Sequence, residues 1–119
     1  MKVTFLGTGT SQGVPVIGCT CEVCKSLDYR DKRLRTSIFV EAPSKDAEAQ
    51  WQNLVIDTGP DFRQQMLREH VKRLDAVIFT HAHRDHTAGL DDVRAYNFMQ
   101  EMDMPVYGTE PVLAQLQVE

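Results

Sequence analysis

Between positions 80 and 86 the chain reads Thr80-His81-Ala82-His83-Arg84-Asp85-His86, three of its four histidines and one carboxylate within six positions, directly behind the apolar run Ala76-Val77-Ile78-Phe79. A short buried strand over Ala76 to Thr80 that ends in so polar a tip constrains the fold strongly, because it calls for a sheet whose strand end opens onto a ligand-bearing loop. Histidines two residues apart on extended backbone project to the same side, so His81 and His83 can grip one cation. Asp85 and His86, on the following turn, then face a second. Half of a two-metal centre results, an arrangement suited to water activation and ester hydrolysis. The bland alternative, a polar surface loop, fits poorly with such a concentration of donors behind an apolar strand.

Around this segment the pattern is that of an α/β chain. Met1 to Leu6, Thr36 to Ala42 and Asn53 to Asp57 are rich in β-branched and aromatic residues and predict strands, with the polar stretch Pro43 to Gln52 as a hairpin excursion onto which Trp51 packs back. Phe62, Met66, Val71 and Leu74 keep roughly helical spacing and predict one helix from Pro60 to Leu74, which places His70 mid-helix as a solvated or partly packed side chain rather than a ligand. Leu90 to Met99 predicts a second helix and Val106-Tyr107 a strand, while Thr109-Glu110-Pro111 opens a last helix expected to have barely begun a second turn when the chain stops. Residues 16–33 read as a loop with one helical turn. The glycine-rich turn from Gly7 to Pro15 lacks the Gly-Lys-Ser/Thr ending of a phosphate-binding loop and the spacing of a dinucleotide fingerprint, so it reads as a connection between strands.

Composition narrows the classes of function. A chain of 119 residues with 42% hydrophobic and 25% charged residues fits one small globular domain. A net charge of -4 weighs against a broad nucleic-acid surface, and the basic run Arg30, Lys32, Arg33 and Arg35 reads as a solvated face. No stretch of about 18 apolar residues suggests a membrane span, and no signal peptide precedes the first strand, so a cytoplasmic protein is the default expectation. Three cysteines, Cys19, Cys21 and Cys24, crowd into six residues. They are poor material for a disulfide framework and good material for a metal, since three thiolates so close repel unless a cation neutralises them.

The histidine segment resembles the signature of the metallo-β-lactamase superfamily, whose fold is a four-layer αββα sandwich with a dinuclear site at one edge of the sheets. By that resemblance His81 and His83 belong to the first metal, and Asp85 and His86 to the second. Asp57-Thr58-Gly59 is similar to the Asp-x-Gly element that precedes the histidine loop there, which makes Asp57 the acceptor that orients a ligating imidazole. Its alternative is a cap of the turn before Pro60. Gly18-Cys19-Thr20-Cys21-Glu22-Val23-Cys24, set after Phe5-Leu6-Gly7-Thr8-Gly9-Thr10-Ser11-Gln12-Gly13-Val14-Pro15 and before Gly89-Leu90-Asp91-Asp92-Val93-Arg94, closely resembles the PhnP-type phosphodiesterase branch. In that branch the cysteine loop binds a structural zinc.

The resemblance implies hydrolysis of a small or cyclic phosphodiester by a hydroxide bridging two divalent metals, zinc or manganese, with Asp85 as the catalytic carboxylate among the ligands. A tRNA 3′-processing nuclease, a lactonase, a thioesterase and a non-catalytic metal-binding module are the alternatives. The expected partner is a small-molecule phosphodiester, with no membrane and with nucleic acid disfavoured. Arg84, between the ligands, either meets a substrate phosphate or is an ordinary exposed arginine. Each candidate ligand set is one donor short of the usual complement, and in the family the missing members arrive from later sequence. Residues 1–119 are therefore expected to be the N-terminal half of the sandwich, with little turnover in isolation. Such a half would bare its inner sheet face, and a homodimer through that face would mimic the missing part.

Overall fold

A computed structural model of the chain describes residues 1–45 and 51–118. Five strands, β1 (Lys2–Gly7), β2 (Ser37–Pro43), β3 (Trp51–Ile56), β4 (Ala76–Ile78) and β5 (Val106–Tyr107), form one sheet in sequence order. The first three pair antiparallel and the last three parallel. Parallel neighbours require a crossover. That between β3 and β4 is α2 (Phe62–Arg68), and that between β4 and β5 contains α3 (Arg84–Thr87) and α4 (Arg94–Gln100). A short α1 (Glu22–Lys25) lies in the cysteine loop, and α5 (Glu110–Val118) follows β5.

The period of two along the strands separates two faces. Phe39, Val55 and Val77 lie in register across β2, β3 and β4 and are buried against Phe62 and Met66 of α2, together with Val93, Tyr96 and Val112. The opposite face carries a second apolar row, Phe5, Ile38, Ile56, Ile78 and Tyr107, also in register. Its ends stand open, Phe5 being 67% and Tyr107 58% exposed. One sheet with helices on one side and a bare apolar face on the other is half of a layered sandwich. No helix among the described residues is long and apolar enough to cross a membrane.

Several boundaries differ from expectation, each for a local reason. The helix predicted over Pro60 to Leu74 is α2 alone, because the chain turns left-handed at His70, whose φ is 53°. The Val71 N–H bonds back to the Met66 carbonyl at 3.1 Å and the His70 N–H to that of Leu67 at 3.3 Å, the paired closure of a Schellman C-terminus. His70 is thus an exposed residue beyond the helix end, not a mid-helix one. The predicted helix over Leu90 to Met99 divides into a tight 3₁₀ turn (Leu90–Val93) and α4. The final helix runs for nine residues, beyond the barely begun second turn expected. Trp51, expected to pack back on the hairpin, opens β3 opposite Pro43 and stays 45% exposed. The rest of that excursion, residues 46–50, lies outside the described residues.

Candidate metal centre

Because β3 and β4 run parallel, with Ile56 opposite Ile78, both chains leave the sheet at the same edge. Asp57 follows β3 there and the Thr80-His81 tip follows β4. Open α/β sheets place their ligands at such carboxyl ends. Asp57 ends its strand by adopting a left-handed φ of 67°. Its N–H still reaches the Ile78 carbonyl at 2.8 Å, and its own carbonyl accepts from the Ser37 hydroxyl at 2.8 Å, so the unfavourable dihedral is held from both sides.

The Asp57 side chain, 5% exposed, organises the site. Oδ1 accepts the Thr80 N–H at 2.8 Å, which is why β4 stops short of the predicted Thr80. Oδ2 accepts the Thr80 hydroxyl at 2.6 Å and lies 2.7 Å from Nδ1 of His86. The Thr80 Oγ1 in turn lies 2.9 Å from Nδ1 of His81. An ionised carboxylate only accepts, so the threonine proton must point to Asp57 and the hydroxyl oxygen is left to accept from His81. Both imidazoles therefore carry hydrogen on Nδ1, His86 directly under Asp57 and His81 through Thr80. Their Nε2 lone pairs are left for another partner.

A cation fits that arrangement. Nε2 of His86 lies 3.0 Å from Oδ2 of Asp85. With Nδ1 of the same ring already committed as donor, a neutral imidazole would set a lone pair against a carboxylate oxygen, and the contact needs a positive charge at it. Two donors held by one tetrahedral ion at about 2.0–2.2 Å stand roughly 3.3–3.6 Å apart, so the pair would have to part only slightly to share one. The His81 ring centroid lies 3.8 Å from that of His86 and 4.9 Å from that of His83, so the other two rings both flank that of His81. The donor atoms of Asp57, His81 and His86 all fall within 4.8 Å of one another. His83, edge-on to His81 and exposed, stands outside that tightest set, and Asp85 joins it through His86.

Two glycines clamp the Asp57 turn onto the histidine loop. A Cβ on Gly59 would lie 2.4 Å from the Asp85 carbonyl oxygen, and one on Gly89 would lie 2.2 Å from that of Gly59. The Gly89 N–H completes the clamp by donating to the Thr58 carbonyl at 2.9 Å.

The cysteine loop makes a second cluster. The sulfurs of Cys19, Cys21 and Cys24 lie within 4.8 Å of one another, and all three thiols are free. Cys21 caps α1, its sulfur accepting the Cys24 N–H at 3.5 Å, and Cys24 accepts the Val16 N–H at 3.4 Å. Chiefly through the Cys24 N–H, with help from the Cys19 and Cys24 thiols, Cys21 is held down to about 7 from the ordinary 9.0. On Cys24 the Val16 N–H acts downward, but the Cys19 and Cys21 thiols and burial outweigh it, and this thiol is pushed up. Three converging sulfurs with N–H donors aimed at two of them suit a soft cation, and no fourth donor of the cysteine, histidine or carboxylate type joins them among the described residues.

Thr80 is the functional residue that sequence reasoning missed; its only signal is a hydroxyl immediately before the first histidine at a strand tip. The basic run is the solvated face expected, with Arg30, Lys32 and Arg33 exposed and Arg35 half-buried, and its cations also have partners within the chain. Arg30 pairs with Asp28 at 2.7 Å, Arg33 donates to the Thr8 hydroxyl, Arg35 pairs with Asp61 at 2.9 Å, and Lys32 donates to the Ser26 carbonyl.

A helix-backed sheet with oriented imidazoles at its parallel strand ends places the chain in a class of metal-site α/β folds, and the sequence profile of the beta-lactamase superfamily domain matches residues 52–119. The chain belongs to the metallo-β-lactamase superfamily and is PhnP-like within it. A solved diphosphatase of the PhnP family superposes with a TM-score of 0.85 at 45% identity, over 98% of this chain and 44% of that one. Zn²⁺-bound PqqB from Methylobacterium extorquens superposes with a TM-score of 0.75 at 28% identity, over 98% of this chain and 40% of that one. An octanoyltransferase of Porphyromonas gingivalis is 44% identical over 113 residues, 95% of this chain and 21% of that protein. The chain thus spans less than half the length of each of these relatives.

Proposed function

We propose that this chain is the metal-holding part of a dinuclear hydrolase that cleaves a small or cyclic phosphodiester or the P–O–P link of a diphosphate. The observation that carries the reading is the hydrogen-bond relay from buried Asp57 to His86 and, through Thr80, to His81, which fixes two tautomers with Nε2 free, that of His86 beside Asp85. His81, His83, Asp85 and His86 are the residues that would hold two divalent ions, zinc or manganese, and Cys19, Cys21 and Cys24 would hold a structural zinc. Bound metal would supply a water of lowered pKa and polarise a phosphoryl oxygen. The chain's own part is to keep the donors in place: Asp57 retains the His86 Nδ1 proton, and Thr80 that of His81. The diphosphatase relative supports phosphorus as the site of attack, and the zinc-bound relative supports zinc.

Purified protein should contain zinc that survives dialysis, and a version extended to the length of the relatives should hydrolyse bis(p-nitrophenyl) phosphate with added zinc or manganese. His83→Ala and Asp85→Asn should abolish that hydrolysis. Absence of metal from both lengths under metal-replete conditions would overturn the reading. Lactone, thioester and tRNA substrates run beside the diester decide among the other chemistries of the superfamily.

A further inference from the structure

Two stripes of side chains run along α4 and its ends, and the metal centre uses neither. Asp92, Ala95, Tyr96 and Met99 repeat at the spacing of one helix face and line a groove of about 290 Å³ against α2. Phe62, Met66, Leu67 and Val71 form the other wall, with Arg63 toward the start of α2 and Lys72 beyond its end. Arg94, Asn97, Phe98 and Glu101 repeat two positions later, about 200° round the helix, and make a knob with Met102 and Asp103 on the far flank.

Both surfaces are apolar and open. Phe98 is 83% exposed, and Leu67, Met99 and Met102 are exposed as well. One such side chain is ordinary, but four on adjoining surfaces form a patch of the kind that marks an interface. The patch lies on the helix side of the sheet, because Phe62, Met66 and Tyr96 pack with Phe39, Val55 and Val77. It is therefore separate from the bare apolar row on the opposite face. The charges of groove and knob are complementary. Arg63 and Lys72 make no hydrogen bond or ion pair among the described residues, although Asp92 shares the groove with them. The Glu101 and Asp103 carboxylates are equally unpartnered there, and Arg94 beside them gives its Nε–H to the Asp91 carbonyl. The groove thus has one positive charge in excess and the knob one negative.

One copy cannot bring the two surfaces together, since they lie on opposite flanks of the same helix. We propose that residues 62–72 and 94–103 form an isologous dimer interface. A two-fold axis along α4 sets Phe98 and Met102 of each copy over the groove of the other, with Glu101 and Asp103 against Arg63 and Lys72. The occupant is a second copy because the matching apolar and charged surfaces adjoin on one chain, so each association is made twice. The inference stands apart from the metal chemistry.

The test mixes ¹⁵N-labelled and unlabelled 119-residue chain and adds a carbodiimide, which joins a lysine amine to a carboxylate in contact with it. Mixed-isotope cross-links between Lys72 and Glu101 or Asp103 should appear, and sedimentation should show association. Phe98→Asp changes a side chain already in water, so Tm should hold while association weakens roughly tenfold or more, as for a central aromatic anchor. Reversing the cations, Arg63→Glu with Lys72→Glu, or the carboxylates, Glu101→Lys with Asp103→Lys, should weaken it comparably. All four changes together should restore it to within about threefold. A monomeric wild type, or absence of the mixed cross-links, would overturn the proposal. So would four changes that fail to restore what each pair removes, or association indifferent to Phe98→Asp, which is the outcome expected of pairing through the bare sheet face instead.

Discussion

Asp57→Asn isolates the step on which the metal centre depends. The substitution is nearly isosteric, and asparagine tolerates the left-handed φ of 67° that this position requires. Its amide cannot choose its orientation freely. The Thr80 N–H, 2.8 Å from Oδ1, is an obligatory donor, so the amide oxygen must stay there and the NH₂ must replace Oδ2. That NH₂ then faces Nδ1 of His86 across 2.7 Å as a donor. Two donors repel, and His86 resolves the conflict by moving its proton to Nε2, which removes the lone pair turned toward Asp85. Exchanging charge-assisted bonds for neutral ones at a buried site costs about 1–3 kcal/mol of folding stability. The loss at the metal centre is larger in consequence: disturbing the partner that fixes a ligand tautomer typically weakens metal binding about 10–100-fold. Competition with a chromophoric chelator should show that loss at the histidine site while the cysteine-bound zinc stays in place as an internal control. Long-range ¹H–¹⁵N correlations should report hydrogen on Nε2 of His86. A variant that keeps the Nδ1 tautomer and binds metal within twofold of wild type would refute the reasoning.

Three further outcomes follow from the same geometry. Gly89→Ala places a methyl group 2.2 Å from the Gly59 carbonyl oxygen, with Phe62 close behind, and should destabilise the fold by about 1–3 kcal/mol or more in urea melts while loosening the Asp57 turn from the histidine loop. His70→Gly removes a left-handed side chain at an exposed helix end and should stabilise by roughly 1 kcal/mol, raising Tm by a few degrees without changing metal content. In metal-stripped protein Cys21 should alkylate with a midpoint near pH 7, because its thiol is held at about 7 and the thiolate is the reactive form, whereas Cys24, pushed up, should react only at higher pH; peptide mass spectrometry separates the two.

The donors were legible as candidates because they are contiguous: His81, His83, Asp85 and His86 follow one apolar strand, and the strand tip and short helix after it set His81, Asp85 and His86 close together with His83 beside them. The sheet was legible for a related reason, since β-branched residues alternate or cluster within single strands. What failed were inferences that carry a local pattern across a backbone change. Val71 and Leu74 continue the helical spacing of Phe62 and Met66 and do pack with the core, but they do so from beyond the left-handed His70, where the chain has already stopped being a helix. Burial kept the pattern going after the hydrogen bonding had ended. Thr80 failed differently. Its role exists only because the parallel register of β3 and β4 sets Asp57 beside it, 23 positions away in sequence, and one hydroxyl can then serve a carboxylate and an imidazole at once. The basic run shows the same dependence: it is solvated as expected, but that Thr8 and Asp61, 25 and 26 positions distant, hold Arg33 and Arg35 is visible only in the folded chain. Contiguous ligands thus announce the metal chemistry, whereas the residues that fix tautomers and neutralise charge emerge only with the register of the sheet. The Arg84 side chain stands outside that pattern, since no distant partner claims it among the described residues.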